Sequence, residues 1–247
     1  MIVQPVTANC EKIYRRQEHI CFGISPFNSI FSESYIQALT EWGLAHFRSV
    51  HLFVPDEPVR YTLEAMGYSP EKAKWKADKQ NRYLFNKIYR ALERVGIPHE
   101  KASHMVLDWK KLSTDSTYLE RFQEVSQLFD SDVEFRAACL EASRWVLQSK
   151  SAITQGAHEE SLESLLLAVK YFLAEIPLFS DVGRIVGEES SLFSYHQCIP
   201  FLQNLYSGTL RYKASPNQGF LHLVLNSQFA HDNGLKPALL NHCDTLR

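Results

Sequence analysis

Short apolar runs alternate with longer stretches of helical spacing in the first third of the chain. A run rich in β-forming residues, His19 to Ile24, leads through a turn at Ser25–Ser29 into apolar positions spaced three and four apart, which predict a helix to about residue 44. The pattern repeats with a strand over Val50–Val54 and a helix from Val59 to Met66. This order predicts a parallel sheet with right-handed crossovers, preceded by a partly ordered N-terminal lead-in.

The rest of the chain is predicted to be mostly helical. Pro177 is expected to end one helix, and Asp130 or Ser131 is expected to cap another. The predicted helices are Ser69–Val95, Thr117–Phe129, Val133–Lys150 and His158–Ile176, the predicted strands are Ser103–Trp109 and Phe220–Leu225, and a loop is expected at 151–157.

The predicted helix from Ser69 to Val95 is basic on one side and apolar on the other. Between Glu71 and Arg94 the chain has eight Lys or Arg and three acids, a local charge of +5, although its net charge is −2. Like charges at this spacing weaken a helix, so a polyanion such as nucleic-acid phosphate is the favoured partner, and a merely solvated face is the alternative. No apolar stripe lies beside the cations, which argues against a membrane surface.

Composition narrows the class of protein further. The 247 residues, 45% of them hydrophobic, suit one α/β domain over 1–247. The five cysteines form no CxxC pair and the histidines no HExxH motif, so neither a disulfide framework nor a metal is expected. Without a signal peptide or a long apolar run, the protein is expected to be cytoplasmic, and we expect a monomer.

Three residues are candidates for an active site because of their positions in the predicted elements. Ser25 follows the first strand, at the edge of an α/β sheet where ligands bind, but Phe27 replaces the last glycine of the G-x-S-x-G elbow. Taken alone, Ser25 is most often a turn or cap residue. Tyr171 and Glu175 share a helical face in an otherwise apolar segment. Burying such a carboxylate is costly, so it either faces a cleft or is an exposed helix-end glutamate.

Taken together, four features resemble those of one enzyme family. They are G-I-S-P-F-N-S at 23–29, the basic helix, Y-F-L-A-E at 171–175 and Y-H at 195–196. Their order and spacing resemble those of the cyclodipeptide synthases, in the subgroup with the Asn, Tyr-His signature, over about His19 to Phe220. The resemblance implies a Rossmann-like parallel sheet with helices on both faces, similar to the catalytic domain of class I aminoacyl-tRNA synthetases. No HIGH-like or KMSKS-like motif is present, so activation by ATP is not expected.

The resemblance also implies roles for individual residues. Ser25 would be the nucleophile, Tyr171 and Glu175 would hold the substrate's α-ammonium, and Tyr195 would position the aminoacyl group, with Asn28 and His196 completing the signature. The implied pocket for the first residue is apolar and favours a small side chain such as that of alanine; it comprises Cys21, Gly23, Phe53, Leu107, Leu178 and Phe193. The implied tRNA contacts are Lys72, Lys76, Lys79, Arg82, Lys87, Arg90 and Arg94.

The implied reaction joins two aminoacyl-tRNAs into a 2,5-diketopiperazine through covalent seryl and dipeptidyl intermediates, without a cofactor. The general base is left open between the vicinal hydroxyl of the tRNA, Glu175, Tyr171 and a water molecule. Two other functions remain possible from the residues. A tRNA-binding or tRNA-modifying protein would be unaffected by Ser25→Ala, and a serine hydrolase would act on simple esters without tRNA.

Overall fold

The computed structural model describes residues 1–154 and 161–224, and a six-stranded sheet lies at its centre. In the described residues four strand pairs are parallel, and one, at the β1 edge, is antiparallel. The strands, given in chain order, are β1 (Ile2–Pro5), β2 (His19–Gly23), β3 (Ser49–Phe53), β4 (Val106–Leu107), β5 (Ser191–Tyr195) and β6 (Gln218–Val224). They lie in the order β1-β6-β5-β2-β3-β4.

Helices connect the strands and cover the sheet. The first five are α1 (Ala8–Tyr14), α2 (Glu33–His46), α3 (Val59–Ala65), α4 (Pro70–Arg94) and α5 (His99–Met105). The others in the described residues are α6 (Trp109–Leu112), α7 (Ser116–Ser131), α8 (Val133–Thr154), α9 (Leu162–Val186) and α10 (Pro200–Ser207). None of the helices in residues 1–154 and 161–224 is long and apolar enough to cross a membrane.

Successive strand residues point to opposite faces, so the sheet has a core on each side. Cys21 and Phe193 pack against α7, α8, α9 and α10, whereas Phe22 and Leu192 pack against α2 and α4. Helices on both faces of a mainly parallel sheet confirm the predicted α/β fold. The basic helix is confirmed as α4, with Ser69 as its cap and Pro70 as its first residue.

The N-terminal lead-in is more ordered than expected. Its residues form β1, which pairs antiparallel with β6, and α1, whose cap Thr7 accepts a hydrogen bond from the Cys10 N–H. The sheet is therefore mixed and not wholly parallel. The four residues of β1, ending at Pro5, are too few for a clear strand signal, and their partner strand is more than 200 residues away.

The predicted strand Ser103–Trp109 is wrong except at its centre. Residues His99–Met105 form α5, and only Val106 and Leu107 pair with β3. Ala102 and Met105 are buried three residues apart, a helical spacing that an apolar run this short does not separate from a strand. The helix cap was also misplaced, because the Asp132 carboxylate, and not Asp130 or Ser131, accepts from the N–H of Phe135.

The prediction that Pro177 ends a helix is wrong. Helical backbone continues through Pro177 to a kink at Asp181, and a second helical segment of α9 then runs to Val186. Burial of this segment between α3, α7, α8 and the sheet outweighs the hydrogen bond that a proline removes. The predicted start of this helix at His158, the loop residues 155–157 and Leu225 lie outside the described residues, while 151–154 belong to α8.

Candidate active site

Ser25 lies at the carboxyl end of β2, between the ends of β3 and β5. The Ile24 N–H extends the pairing with β3 by donating to the Phe53 carbonyl at 2.8 Å. The chain then turns sharply, with Phe27 in the left-handed region (φ 59°) and the Asn28 side-chain oxygen accepting from the Ile30 N–H at 3.1 Å. This turn leads into α2 and leaves the Ser25 hydroxyl at the sheet edge where parallel strands end.

Two phenols hold the Ser25 hydroxyl. The Tyr195 hydroxyl donates to Ser25 Oγ at 2.9 Å, and the Tyr171 hydroxyl lies 3.4 Å from the same oxygen. Burial raises the pKa of both phenols well above the usual value, and the neighbouring Glu175 charge raises that of Tyr171 further. Both side chains are therefore neutral hydrogen-bond donors at physiological pH.

Tyr171 also connects Ser25 to Glu175. The Tyr171 phenol hydrogen-bonds the Glu175 carboxylate, one turn further along α9. Glu175 is half-buried in the interior of α9, so it is not the exposed helix-end glutamate that remained possible from the sequence. The Tyr118 hydroxyl donates to the Ala174 carbonyl at 2.9 Å and fixes α9 at this point.

Asn28 and His196 meet on the other side of the turn. Asn28 Nδ2 lies 3.2 Å from His196 Nε2, and Asn28 also hydrogen-bonds Tyr195. Burial, followed by the charge of His222, lowers the pKa of His196 to about 4, so its ring is neutral at pH 7. The structure thus brings together all six residues that were predicted to be catalytic.

The six residues predicted to line the aminoacyl pocket also lie on one face of the sheet. Five of them belong to the same buried apolar cluster: Cys21, Phe53, Leu107, Leu178 and Phe193. Gly23 completes the set, because a Cβ placed there would lie 2.9 Å from the Phe193 ring and 3.2 Å from the Tyr195 ring. Phe179, which sequence reasoning missed, packs against Phe193 with ring centroids 4.9 Å apart. It was missed because its segment was expected to follow the end of a helix.

The cations of α4 differ in their surroundings. Lys72 and Lys76 lie over the ring of Tyr68, and Lys79 lies over the exposed ring of Trp75. Other members of the predicted tRNA-contact set are already neutralised, because Glu33 at the start of α2 pairs with Arg90 at 2.7 Å and with Arg94 at 2.8 Å. Within the described residues, Arg82 and Lys87 form no ion pair or hydrogen bond.

Helix α4 passes close to Ser25. Its buried residues Ala73 and Ala77 pack with Tyr171 and with Phe27 of the turn. In the part of the chain that the structure describes, no three His, Cys, Asp or Glu side chains come together as a metal site.

Comparison with known proteins identifies the family. The family model described as cyclodipeptide synthase matches residues 1–225. This chain belongs to the cyclodipeptide synthases. Members of this family are tRNA-dependent aminoacyltransferases, and the chain is therefore an enzyme of that class.

Individual relatives agree with this assignment. The cyclo(L-leucyl-L-leucyl) synthase of Bacillus subtilis is 32% identical over 221 residues, which are 89% of this chain and 88% of the relative. The structure of a cyclodipeptide synthase from Bacillus thermoamylovorans matches with a TM-score of 0.84 and 32% identity over 91% of this chain and 96% of that one. A Mycobacterium tuberculosis structure described as relating these enzymes to type I tRNA synthetases matches with a TM-score of 0.77 and 29% identity, over 89% and 90% of the two chains.

Proposed function

We propose that this enzyme makes a 2,5-diketopiperazine from two aminoacyl-tRNAs by ping-pong acyl transfer through Ser25. The observation that supports this most directly is the Ser25 hydroxyl at the end of β2, held by two neutral phenols beside a carboxylate. The reaction would take place in the cytoplasm, where charged tRNAs are found. The expected monomeric state stays a prediction.

In the first step, Ser25 Oγ attacks the carbonyl carbon of the aminoacyl ester. A new ester to Ser25 forms, the bond to the ribose oxygen breaks, and the serine proton ends on that ribose oxygen, carried there by the vicinal hydroxyl of the tRNA. Because the Tyr195 phenol donates to Ser25 Oγ, the serine's own proton is directed away from it. The carboxylate of Glu175 and the phenol of Tyr171 offer the α-ammonium of the bound residue an ion pair and a hydrogen bond.

In the second step, the amine of a second aminoacyl-tRNA attacks the seryl ester, forming a peptide bond and releasing Ser25 Oγ from the first residue. The dipeptide is then transferred from its tRNA to Ser25. Its free amine finally attacks the new ester, which closes the six-membered ring and returns the proton to Ser25. For each attack the amine must lose a proton, and we assign its acceptance to Glu175, which hydrogen-bonds the Tyr171 hydroxyl.

The same proposal gives roles to the basic face of α4 and to the apolar cluster beneath Ser25. The exposed cations of α4 bind acceptor-arm phosphates, with Lys79, Arg82 and Lys87 available and Arg90 held by Glu33. The apolar cluster beneath Ser25, filled by the buried rings of Phe53 and Phe193, favours a small uncharged first residue such as alanine.

A direct test compares wild type with Ser25→Ala and, as a matched control, Ser29→Ala, which changes an exposed serine of the same turn. Mass spectrometry of the culture medium of a bacterial host should show diketopiperazines with wild type and Ser29→Ala only, and their masses name both residues. Incubation of the purified proteins with labelled aminoacyl-tRNA should leave one aminoacyl group on Ser25. Equal product from the Ser25→Ala enzyme would contradict the covalent mechanism, whereas no product from either folded protein would favour a role in tRNA binding alone.

A further inference from the structure

A small cavity lies beside the active site, on the face of the sheet opposite the proposed aminoacyl pocket. Its volume is about 10 Å³, and it lies between the ends of β2 and β5 and helix α2. This is about the space that one water molecule needs. Its apolar wall includes Phe22 and Phe31, and its polar wall is formed by Tyr35, Ser194 and His196.

Each polar side chain of this wall has a group without a hydrogen-bond partner among the residues that the structure describes. His196 Nδ1 is buried and has no hydrogen bond within the described residues. The hydroxyls of Tyr35 and Ser194, which are both only 2% exposed, likewise form none with any residue that the structure describes. Buried polar groups are nearly always satisfied, by protein or by ordered water, so the unpaired His196 Nδ1 beside two hydroxyls that line the same cavity indicates a shared partner.

The tautomer of His196 determines whether that partner donates or accepts the hydrogen bond at Nδ1. The Asn28 side-chain oxygen accepts from the Ile30 N–H, so its amide nitrogen faces His196 Nε2 and donates to it. Nε2 is therefore an acceptor, and the single proton of the neutral ring is on Nδ1. The buried Nδ1–H needs an acceptor, and no residue that the structure describes provides one.

We propose that one water molecule occupies this cavity, accepts a hydrogen bond from His196 Nδ1–H and donates to the hydroxyls of Tyr35 and Ser194. The water holds the His196 ring in the tautomer that accepts from Asn28. Asn28 in turn holds the turn that carries Ser25. Tyr35 and Ser194 are then positioning residues, which act on the reaction only through His196 and Asn28; this consequence for activity rests on the proposed function, whereas the water site does not.

The water site is tested by structure and by NMR on the purified protein. A high-resolution crystal structure of wild type should show one water within hydrogen-bond distance of His196 Nδ1, Tyr35 and Ser194, and that of Tyr35→Phe/Ser194→Ala should show none. In long-range ¹H–¹⁵N spectra of the imidazole ring, assigned with His196→Gln, wild type should carry its proton on Nδ1. A proton on Nε2, or wild-type density without a water in the cavity, would overturn the proposal.

The positioning role is tested by kinetics of the single variants. Tyr35→Phe and Ser194→Ala should each lower kcat about three- to tenfold, the range expected for one buried hydrogen bond, with KM for aminoacyl-tRNA unchanged. Tyr14→Phe is the matched control, because Tyr14 packs on the same core but does not line the cavity. Unchanged kcat in both variants would overturn the positioning role. Absence of any diketopiperazine from wild type would count against the proposed function but not against the water site. The electron density and the NMR spectra report on the water whether or not the enzyme turns over.

Discussion

A buried histidine at the start of β2, His19, and a half-buried histidine in the middle of β3, His51, should make this protein acid-sensitive. His19 Nε2 lies 2.9 Å from His51 Nδ1, and His19 Nδ1 lies 2.6 Å from the Ser191 hydroxyl. Burial, then the charges of His51 and Arg48, lowers the pKa of His19 to about 3. Burial likewise lowers the pKa of His51 to about 4, with Glu188 opposing the shift and Lys111 adding to it.

The sign of the effect follows from which state binds more protons. In the unfolded chain each histidine titrates near pH 6.5, whereas in the folded protein both stay neutral until pH 3–4. Below pH 6.5 the unfolded chain therefore binds more protons, so stability is complete above that pH and falls as the solution is acidified. At about 1.4 kcal/mol per pH unit, each histidine costs about 2 kcal/mol between pH 7 and pH 5.

The pair together therefore removes about 4 kcal/mol, a large part of the 5–15 kcal/mol that is typical of a folded domain. His196, whose pKa is lowered to about 4, acts in the same direction. We expect urea denaturation to show a clearly smaller free energy of unfolding at pH 5 than at pH 7.

The His51→Gln variant isolates one member of the pair. Glutamine does not titrate, and its amide is able to hydrogen-bond His19. We expect the loss between pH 7 and pH 5 to be about 2 kcal/mol smaller than in wild type. The control is His104→Gln, at an exposed position on α5, which should lose as much as wild type. If His51→Gln loses as much as the control, the buried pair is not the cause of the acid sensitivity.

Two further predictions concern the active site and the basic helix. Gly23→Ala places a Cβ against the rings of Phe193 and Tyr195, so we expect it to displace Tyr195 from Ser25 and lower diketopiperazine formation at least about tenfold; full activity in a variant with an unchanged circular-dichroism spectrum would contradict this. Arg82→Ala should raise KM for aminoacyl-tRNA several-fold and weaken its salt dependence. Arg90→Ala, which removes a partner of Glu33, should raise KM for aminoacyl-tRNA less than Arg82→Ala does. A larger rise in KM for Arg90→Ala than for Arg82→Ala would exclude Arg82 as the main phosphate contact.

Patterns that extend over neighbouring residues could be read from the sequence. The strand, turn and helix around Ser25 follow from apolar spacing and local turn chemistry, and so does α4, whose cations and apolar residues separate on two faces. Ser69, Pro70 and Gly96 mark its ends by purely local rules. Such features depend on backbone and side-chain preferences within a few residues, which is the range that a sequence pattern carries.

Contacts between distant segments were decided only by the tertiary structure. Pairing of β1 with β6 joins the two ends of the described chain, and packing on four sides keeps α9 helical through Pro177. Contacts within the active site were also decided by the tertiary structure. Resemblance placed Ser25 and Tyr195 in one active site, but their 2.9 Å contact exists because β2 and β5 are neighbours in the sheet.

Helix α4 shows most clearly which properties the sequence determined and which the tertiary structure decided. Its sequence determined a predominantly basic face, because charge and helical period are local properties. Only the packing of α2 beside α4 brought Glu33 onto Arg90 and Arg94 and left Arg82 and Lys87 without an acidic partner in the described residues. Which cations remain available to a polyanion is thus a property of the fold, because it depends on an acid almost 60 residues away in the chain.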